Sequence, residues 1–148
     1  MRAFAELLDR LALTGSRNAK LVLLRDYLRA TSDPDRGWAL AALTGELTFD
    51  AAKPAMIRKA VEARVDPVLF GWSYDYVGDL AETVALIWPG SPNHRPNREP
   101  ELGEVVDALA LAKRGEVQGL IEGWLDALAP KGRWALLKLV TGGMRVDS

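Results

Sequence analysis

The chain carries its opening segment twice. Phe4-Ala5-Glu6-Leu7-Leu8-Asp9-Arg10-Leu11-Ala12-Leu13 returns as Leu102-Gly103-Glu104-Val105-Val106-Asp107-Ala108-Leu109-Ala110-Leu111, with both acidic residues kept and the apolar spacing unchanged. Further on, Arg36-Gly37-Trp38-Ala39-Leu40-Ala41-Ala42-Leu43-Thr44-Gly45 returns as Arg133-Trp134-Ala135-Leu136-Leu137-Lys138-Leu139-Val140-Thr141-Gly142. Residues 4–47 and 102–144 therefore read as two copies of one three-helix unit, joined by a linking section over 48–101. Such self-similarity restricts the fold to architectures that use one supersecondary unit twice. Two units facing each other make a pseudo-two-fold platform, which suits a pseudo-symmetric partner such as duplex nucleic acid.

Helical periodicity runs through the whole chain and strand alternation is almost absent. Phe4, Leu7, Leu8 and Leu11 fall at i, i+3, i+4 and i+7, which makes one stripe of the first helix apolar. Thr14-Gly15-Ser16 breaks it, and Ser16 is placed to cap a second helix whose apolar face runs through Leu21, Leu24, Tyr27 and Leu28. Asp33-Pro34 predicts the third helix start, with Asp33 as cap and Pro34 in the first turn, and Gly45 predicts its end.

Helices are also expected from Pro54 to about Arg64, from Pro67 after the cap Asp66, and from Asp79 to Trp88. The segment 89–100 contains four prolines and predicts an extended, exposed connection that includes His94. The second copy predicts a helix through Val105, Val106 and Leu109, a break near Lys113-Arg114-Gly115, and a helix through Val117, Leu120, Ile121, Trp124 and Leu125. Pro130 then starts a closing helix. The expected fold is all-α, one domain over 1–148 with about eight or nine helices. Its five tryptophans read as core packing.

At 148 residues and 49% hydrophobic, the chain can bury the core of one globular domain without staples. It has no cysteine and a single histidine, which removes disulfides, thiol chemistry and the usual zinc sites from consideration and leaves a carboxylate-only metal site as the exception. An acid at Glu6 interrupts any signal-peptide core, and no apolar run reaches about 18 residues, so the expectation is a cytoplasmic protein with no membrane role. Glu6, Asp9, Glu104 and Asp107 could meet as a carboxylate cluster, but their spacing opposite the apolar stripe reads as an exposed face.

The net charge of −1 is no signature of a phosphate binder, so the distribution of charge carries the argument. Thr14 to Thr31 holds Arg17, Lys20, Arg25 and Arg29 against Asp26, and Lys131 to Ser148 holds Lys131, Arg133, Lys138 and Arg145 against Asp147. The two stretches read as equivalent places in the repeat. Ordinary solvated helix faces would give the same pattern.

Two kinds of candidate site follow. Gly142 and Gly143 close the last helix, as a C-terminal cap would, and their lack of side chains lets a nucleic-acid strand approach while Arg145 supplies charge. The first copy has Gly45-Glu46 at that place, where the carboxylate would repel phosphate, so the second copy's tip is the binding one. Ser16 and Arg17, with Lys20 one turn on, and Lys113-Arg114-Gly115 precede or open helices whose free amides favour an anion. Catalytic motifs are absent: there is no phosphate-binding loop, no nucleophile elbow and no His-Glu-x-x-His pattern.

Four segments, in order along the chain, resemble the N-terminal helical DNA-binding domain of bacterial-type ATP-dependent DNA ligases. They are Leu13-Thr14-Gly15-Ser16-Arg17-Asn18-Ala19-Lys20, Pro34-Asp35-Arg36-Gly37-Trp38-Ala39-Leu40, Tyr76-Val77-Gly78-Asp79-Leu80-Ala81-Glu82-Thr83, and Arg133 through Arg145 with its Thr141-Gly142-Gly143-Met144-Arg145 ending. The resemblance implies an all-helical module that grips the minor-groove side of nicked double-stranded DNA in repair or replication while the rest of the ligase closes around it. Taken with the candidate sites above, the leading expectation is that Ser16, Arg17 and Lys20 engage one strand and Lys113, Arg114, Gly142, Gly143 and Arg145 the other.

The family's catalytic lysine lies in a Lys-x-Asp-Gly motif of a later adenylation domain, which an OB-fold domain follows. None of Lys20, Lys53, Lys59, Lys113, Lys131 or Lys138 is followed by x-Asp-Gly, so the implied fragment is non-catalytic and carries no cofactor of its own. ATP and Mg belong to the parent enzyme, whose adenylation domain is the expected partner beside DNA, and the expected state is a monomer. A helical-repeat scaffold that binds protein rather than nucleic acid is the alternative the repeat also allows. A small enzyme built on carboxylates is a third.

Overall fold

The computed structural model describes residues 1–47, 49, 53–89 and 99–142. Among these residues every regular element is helical. The first unit supplies α1 (Arg2–Leu13), α2 (Arg17–Ala30) and α3 (Asp35–Leu43). The linking section supplies α4 (Pro54–Glu62), α5 (Pro67–Val77) and α6 (Leu80–Ile87). The second unit supplies α7 (Leu102–Leu111), α8 (Val117–Ala127) and α9 (Pro130–Thr141), with a 3-10 turn over Arg114–Glu116 leading into α8.

Local chemistry explains most of these boundaries. Ser16 Oγ accepts from the Ala19 amide at 3.3 Å, Asp66 Oδ1 from Val68 at 2.8 Å, and Asp79 Oδ1 from Glu82 at 2.9 Å, so each cap satisfies an amide that has no partner within its helix. Pro54, Pro67 and Pro130 sit in the first turns of their helices, where a missing N–H costs nothing. Gly45 and Gly142 close the third helix of each unit with φ of 80° and 78°, a left-handed conformation that other residues resist.

The third helix begins differently from its sequence signature. Pro34 occupies the cap position and α3 starts at Asp35, without a side-chain cap bond. The Asp33 carboxylate is turned to its neighbour instead, accepting from Arg36 Nη2 at 3.1 Å. The break at Lys113-Arg114-Gly115 is likewise shorter than expected, because Arg114 and Gly115 already belong to the 3-10 turn.

Packing crosses between the units in a reciprocal way. α1 of the first unit lies on α9, the third helix of the second, and α7 of the second lies on α3, the third helix of the first. α6 packs on α9, α4 and α5 pack on each other, and α4 reaches α8, so the linking helices close the assembly. One continuous core results, with Phe4, Ile57, Phe70, Leu102, Ile121, Leu125, Leu136 and Leu137 all but inaccessible to solvent. Each such side chain contributes roughly 1.5–3 kcal/mol relative to exposure.

Trp88 is buried in this core and Trp38, Trp124 and Trp134 are packed against it. Trp72 is not, and here the reading of all five tryptophans as core is corrected: it is 72% exposed, on the face of α5 opposite buried Phe70. Val68, Leu69 and Tyr76 share that outer face. His94 and the proline-rich stretch over 90–98 lie outside the described residues.

Candidate nucleic-acid interface

The cations of the chain divide into those used internally and those left on the surface. Arg133 belongs to the first group. It is buried on α9, where Nε donates to the Leu125 carbonyl at 2.8 Å and Nη1 to the Trp88 carbonyl at 3.3 Å, tying the ends of α8 and α6 to α9. Burial pushes its guanidinium below its ordinary pKa, and the Asp126 charge opposes that shift. Asp126 also accepts from Trp88 Nε1 at 3.0 Å and pairs with Arg64, whose guanidinium lies 4.5 Å from the centre of the Trp88 ring.

Lys131 and Lys138 are engaged as well. The Lys131 ammonium sits 3.1 Å from Glu6 and 3.4 Å from Asp9, and these bonds hold it above its ordinary pKa while they tether α9 to α1. Lys138 donates to Asp79 Oδ2 at 2.7 Å, tying α9 to the cap of α6. Glu6 and Asp9 therefore meet a cation of α9 and do not form a carboxylate cluster with the second copy.

The basic stretch of α9 is thus largely consumed by packing, and it is not the counterpart of the basic stretch of α2. α2 is the second helix of its unit and α9 the third of the other. α8 stands where α2 does in the chain order, and it carries Glu122 and Asp126 with no cation.

The surface group includes Arg10, Arg29, Lys53, Arg58 and Lys59 on α1, α2 and α4 with its cap, and a further four at the breaks between first and second helices. Arg17 opens α2 and is exposed, as is Ser16, whose hydroxyl already serves as its cap. Lys20 lies half-buried, sharing the i, i+3, i+4, i+7 stripe of Leu23, Leu24 and Tyr27. Lys113 and Arg114 are exposed, and Glu116 folds back to accept from the Lys113 amide at 2.9 Å. Among the described residues Arg17, Lys20, Lys113 and Arg114 form no ion pair.

The structure thus brings Ser16, Arg17 and Lys20 into one turn and Lys113 and Arg114 into another. Gly142 is exposed at the end of α9, beyond the Lys138–Asp79 pair. Gly143 and Arg145 lie outside the described residues. Two side chains at these breaks escaped sequence reasoning: Leu13 and Leu111, the last residues of α1 and α7, are 81% and 86% exposed. Their alignment in the repeat, off the apolar stripe of each helix, was the available signal.

A cleft of about 580 Å³ opens where the N-terminal ends of α1, α3 and α7 converge with the end of α2. Glu6, Asp35, Glu99 and Glu101 line it against Arg2 and the Met1 amine, so acids outnumber cations there, which disfavours a phosphate chain. No helix among the described residues is long and apolar enough to cross a membrane. Comparison of the chain with protein-family models, with curated proteins and with solved structures finds no match. The class the geometry defines is an all-helical domain, and its residues alone carry the functional argument.

Proposed function

We propose that the chain is a non-catalytic module that binds nicked duplex DNA without reading sequence, as the DNA-binding part of an ATP-dependent DNA ligase in repair or replication. The observation that carries this reading is the pair of cationic breaks, Ser16-Arg17 with Lys20 and Lys113-Arg114, standing at corresponding places in the two units while most cations of α9 are tied up in packing. Phosphate contacts of this kind hold a protein in register on a duplex and leave base recognition aside. The ordered motif resemblance supplies the link to ligases, with adenylation, ATP and Mg belonging to other parts of that enzyme. Because the excess of surface cations is small, affinity falls in the non-specific range of about 10⁻⁴ to 10⁻⁶ M.

The test is an anisotropy titration of a labelled nicked duplex at two salt concentrations. Arg17→Glu, Lys113→Glu and Arg114→Glu each weaken binding and flatten the log–log salt dependence by about 0.9 or more per lost contact. Arg145→Glu tests the last tip in the same assay, and Arg36→Gln, which loses a cation already paired with Asp33, leaves binding unchanged. Salt-insensitive binding, or indifference to all these reversals, overturns the proposal.

One observation favours a second reading, a scaffold for a protein partner. The outer face of α5 presents Val68, Leu69, Trp72 and Tyr76, with Tyr76 93% exposed, and the only charges of its cap and helix are Asp66 and Asp75. Exposed tryptophan and tyrosine of this kind favour protein interfaces, and the acidic edge disfavours phosphate.

A further inference from the structure

The two cationic breaks share a feature that charge does not explain. Leu13 and Leu111 occupy the same position of the repeat, each is the final residue of its unit's first helix, and they are the two most exposed leucines among the described residues at 81% and 86%. An isolated surface leucine needs no explanation. Two at corresponding positions, each followed within four residues by an exposed cation that forms no described ion pair, form a duplicated pattern of apolar tip and positive flank.

Resting on the DNA-binding reading, we propose that Leu13 and Leu111 are the apolar contacts of this module with the minor groove of one duplex. The minor groove is about 6 Å wide, half the width of the major groove and narrow enough for a leucine side chain to touch its walls. Leucine also belongs to the side chains that enter that groove and press between base steps, and the neighbouring Arg17, Lys113 and Arg114 supply the phosphate contacts that hold such a tip in place.

The scale of the molecule fits a single duplex. The caps of α1 and α7 meet, with the Met1 amine 3.8 Å from the Glu101 carboxylate. The two helices are 12 and 10 residues long. At the usual helical rise their far ends, Leu13 and Leu111, therefore lie within roughly 40 Å of each other whatever the angle between the axes. One turn of duplex spans about 34 Å, so the separation of the tips is compatible with one helical turn or little more.

The experiment is the nicked-duplex titration on the full chain, with Leu13→Ser, Leu111→Ser and the double variant, each checked by its helical circular dichroism and melting profile. Both leucines are surface residues, so the variants fold as the parent does. Each single variant weakens binding roughly 10-fold or more, the share of affinity a buried leucine carries, and the salt slope stays at the parent value because no counterion-releasing charge is lost. If the parent binds DNA and responds to Arg17→Glu while the leucine variants bind as the parent does, the minor-groove contact is wrong and DNA binding stands, leaving the leucines to another partner. If the parent fails to bind at low salt, the DNA reading itself fails and this inference with it.

Discussion

Asp35 Oδ1 accepts a hydrogen bond from the Gly103 amide at 2.8 Å, and this bond joins the first turn of α3 to the first turn of α7. A Cβ at Gly103 would stand 2.7 Å from that same oxygen and 3.3 Å from the Pro34 ring, so a larger residue would displace the Asp35 carboxylate from this bond. The first copy has Ala5 at the matching position. Gly103→Ala is expected to lower stability by about 1–3 kcal/mol, by overpacking and loss of the bond. Asp35→Asn, which keeps an acceptor, costs less than Asp35→Ala. Urea denaturation of the three variants checks both statements.

Arg133 serves the fold. Removing its side chain strands the Leu125 and Trp88 carbonyls at the ends of two helices, so Arg133→Met is expected to cost about 2–4 kcal/mol. On the proposed DNA-binding function, a folded variant keeps the parent's salt dependence of duplex binding. Thermal melts and the duplex titration together separate this role from a phosphate contact, because loss of a contact flattens the slope without lowering the melting temperature.

Asp79 gives the domain an acid-sensitive link. Partial burial raises its pKa, but the Lys138 hydrogen bond, the Glu82 amide, the Lys138 charge and the Ala81 amide together outweigh that, and its carboxyl lies below the ordinary value. A depressed folded-state pKa contributes stability that is present above the unfolded value of about 4 and is lost as pH falls through the folded value. Asp79→Asn is therefore less stable than the parent at pH 7, and the difference shrinks below about pH 4. Denaturation midpoints measured from pH 7 to pH 3 show the convergence.

The outer face of α5 predicts mutational tolerance. Trp72→Ala and Tyr76→Ala are expected to shift stability by no more than about 0.5 kcal/mol, in contrast to large losses at buried Phe70 one helical face away. Parent Trp72 is accessible to solvent, so iodide quenching of tryptophan fluorescence falls in Trp72→Phe. Equal quenching in the two proteins would place Trp72 inside.

Much of this architecture was legible because prolines and acids punctuate it. Pro67 after Asp66 and Leu80 after Asp79 set helix starts through amides that only those caps satisfy. Asp33-Pro34 misled because the same carboxylate had a second partner, Arg36, one turn away. Trp72 was unreadable from periodicity, since α5 is apolar on both faces and no stripe marks the inner one. Arg133 was miscounted as surface charge, although it falls in line with Leu136, Leu137 and Val140, the buried stripe of α9. Charge totals ignore such placement. For the same reason the site was only half legible: Ser16 and Arg17 follow from the cap pattern, whereas which cations remain free depends on contacts between helices far apart in sequence.

α2 is the helix that carries Arg17 and Lys20, and none of its side chains is fully buried; its principal neighbour is α1. Leu23, Leu24 and Tyr27 merely lean on the core. An element held so lightly opens at lower free-energy cost than α1 or α9, so its amides exchange with solvent hydrogen ahead of theirs. This arm can thus re-aim its cations while α1 and α9 beneath it stay closed, and whatever clamps it slows its exchange first.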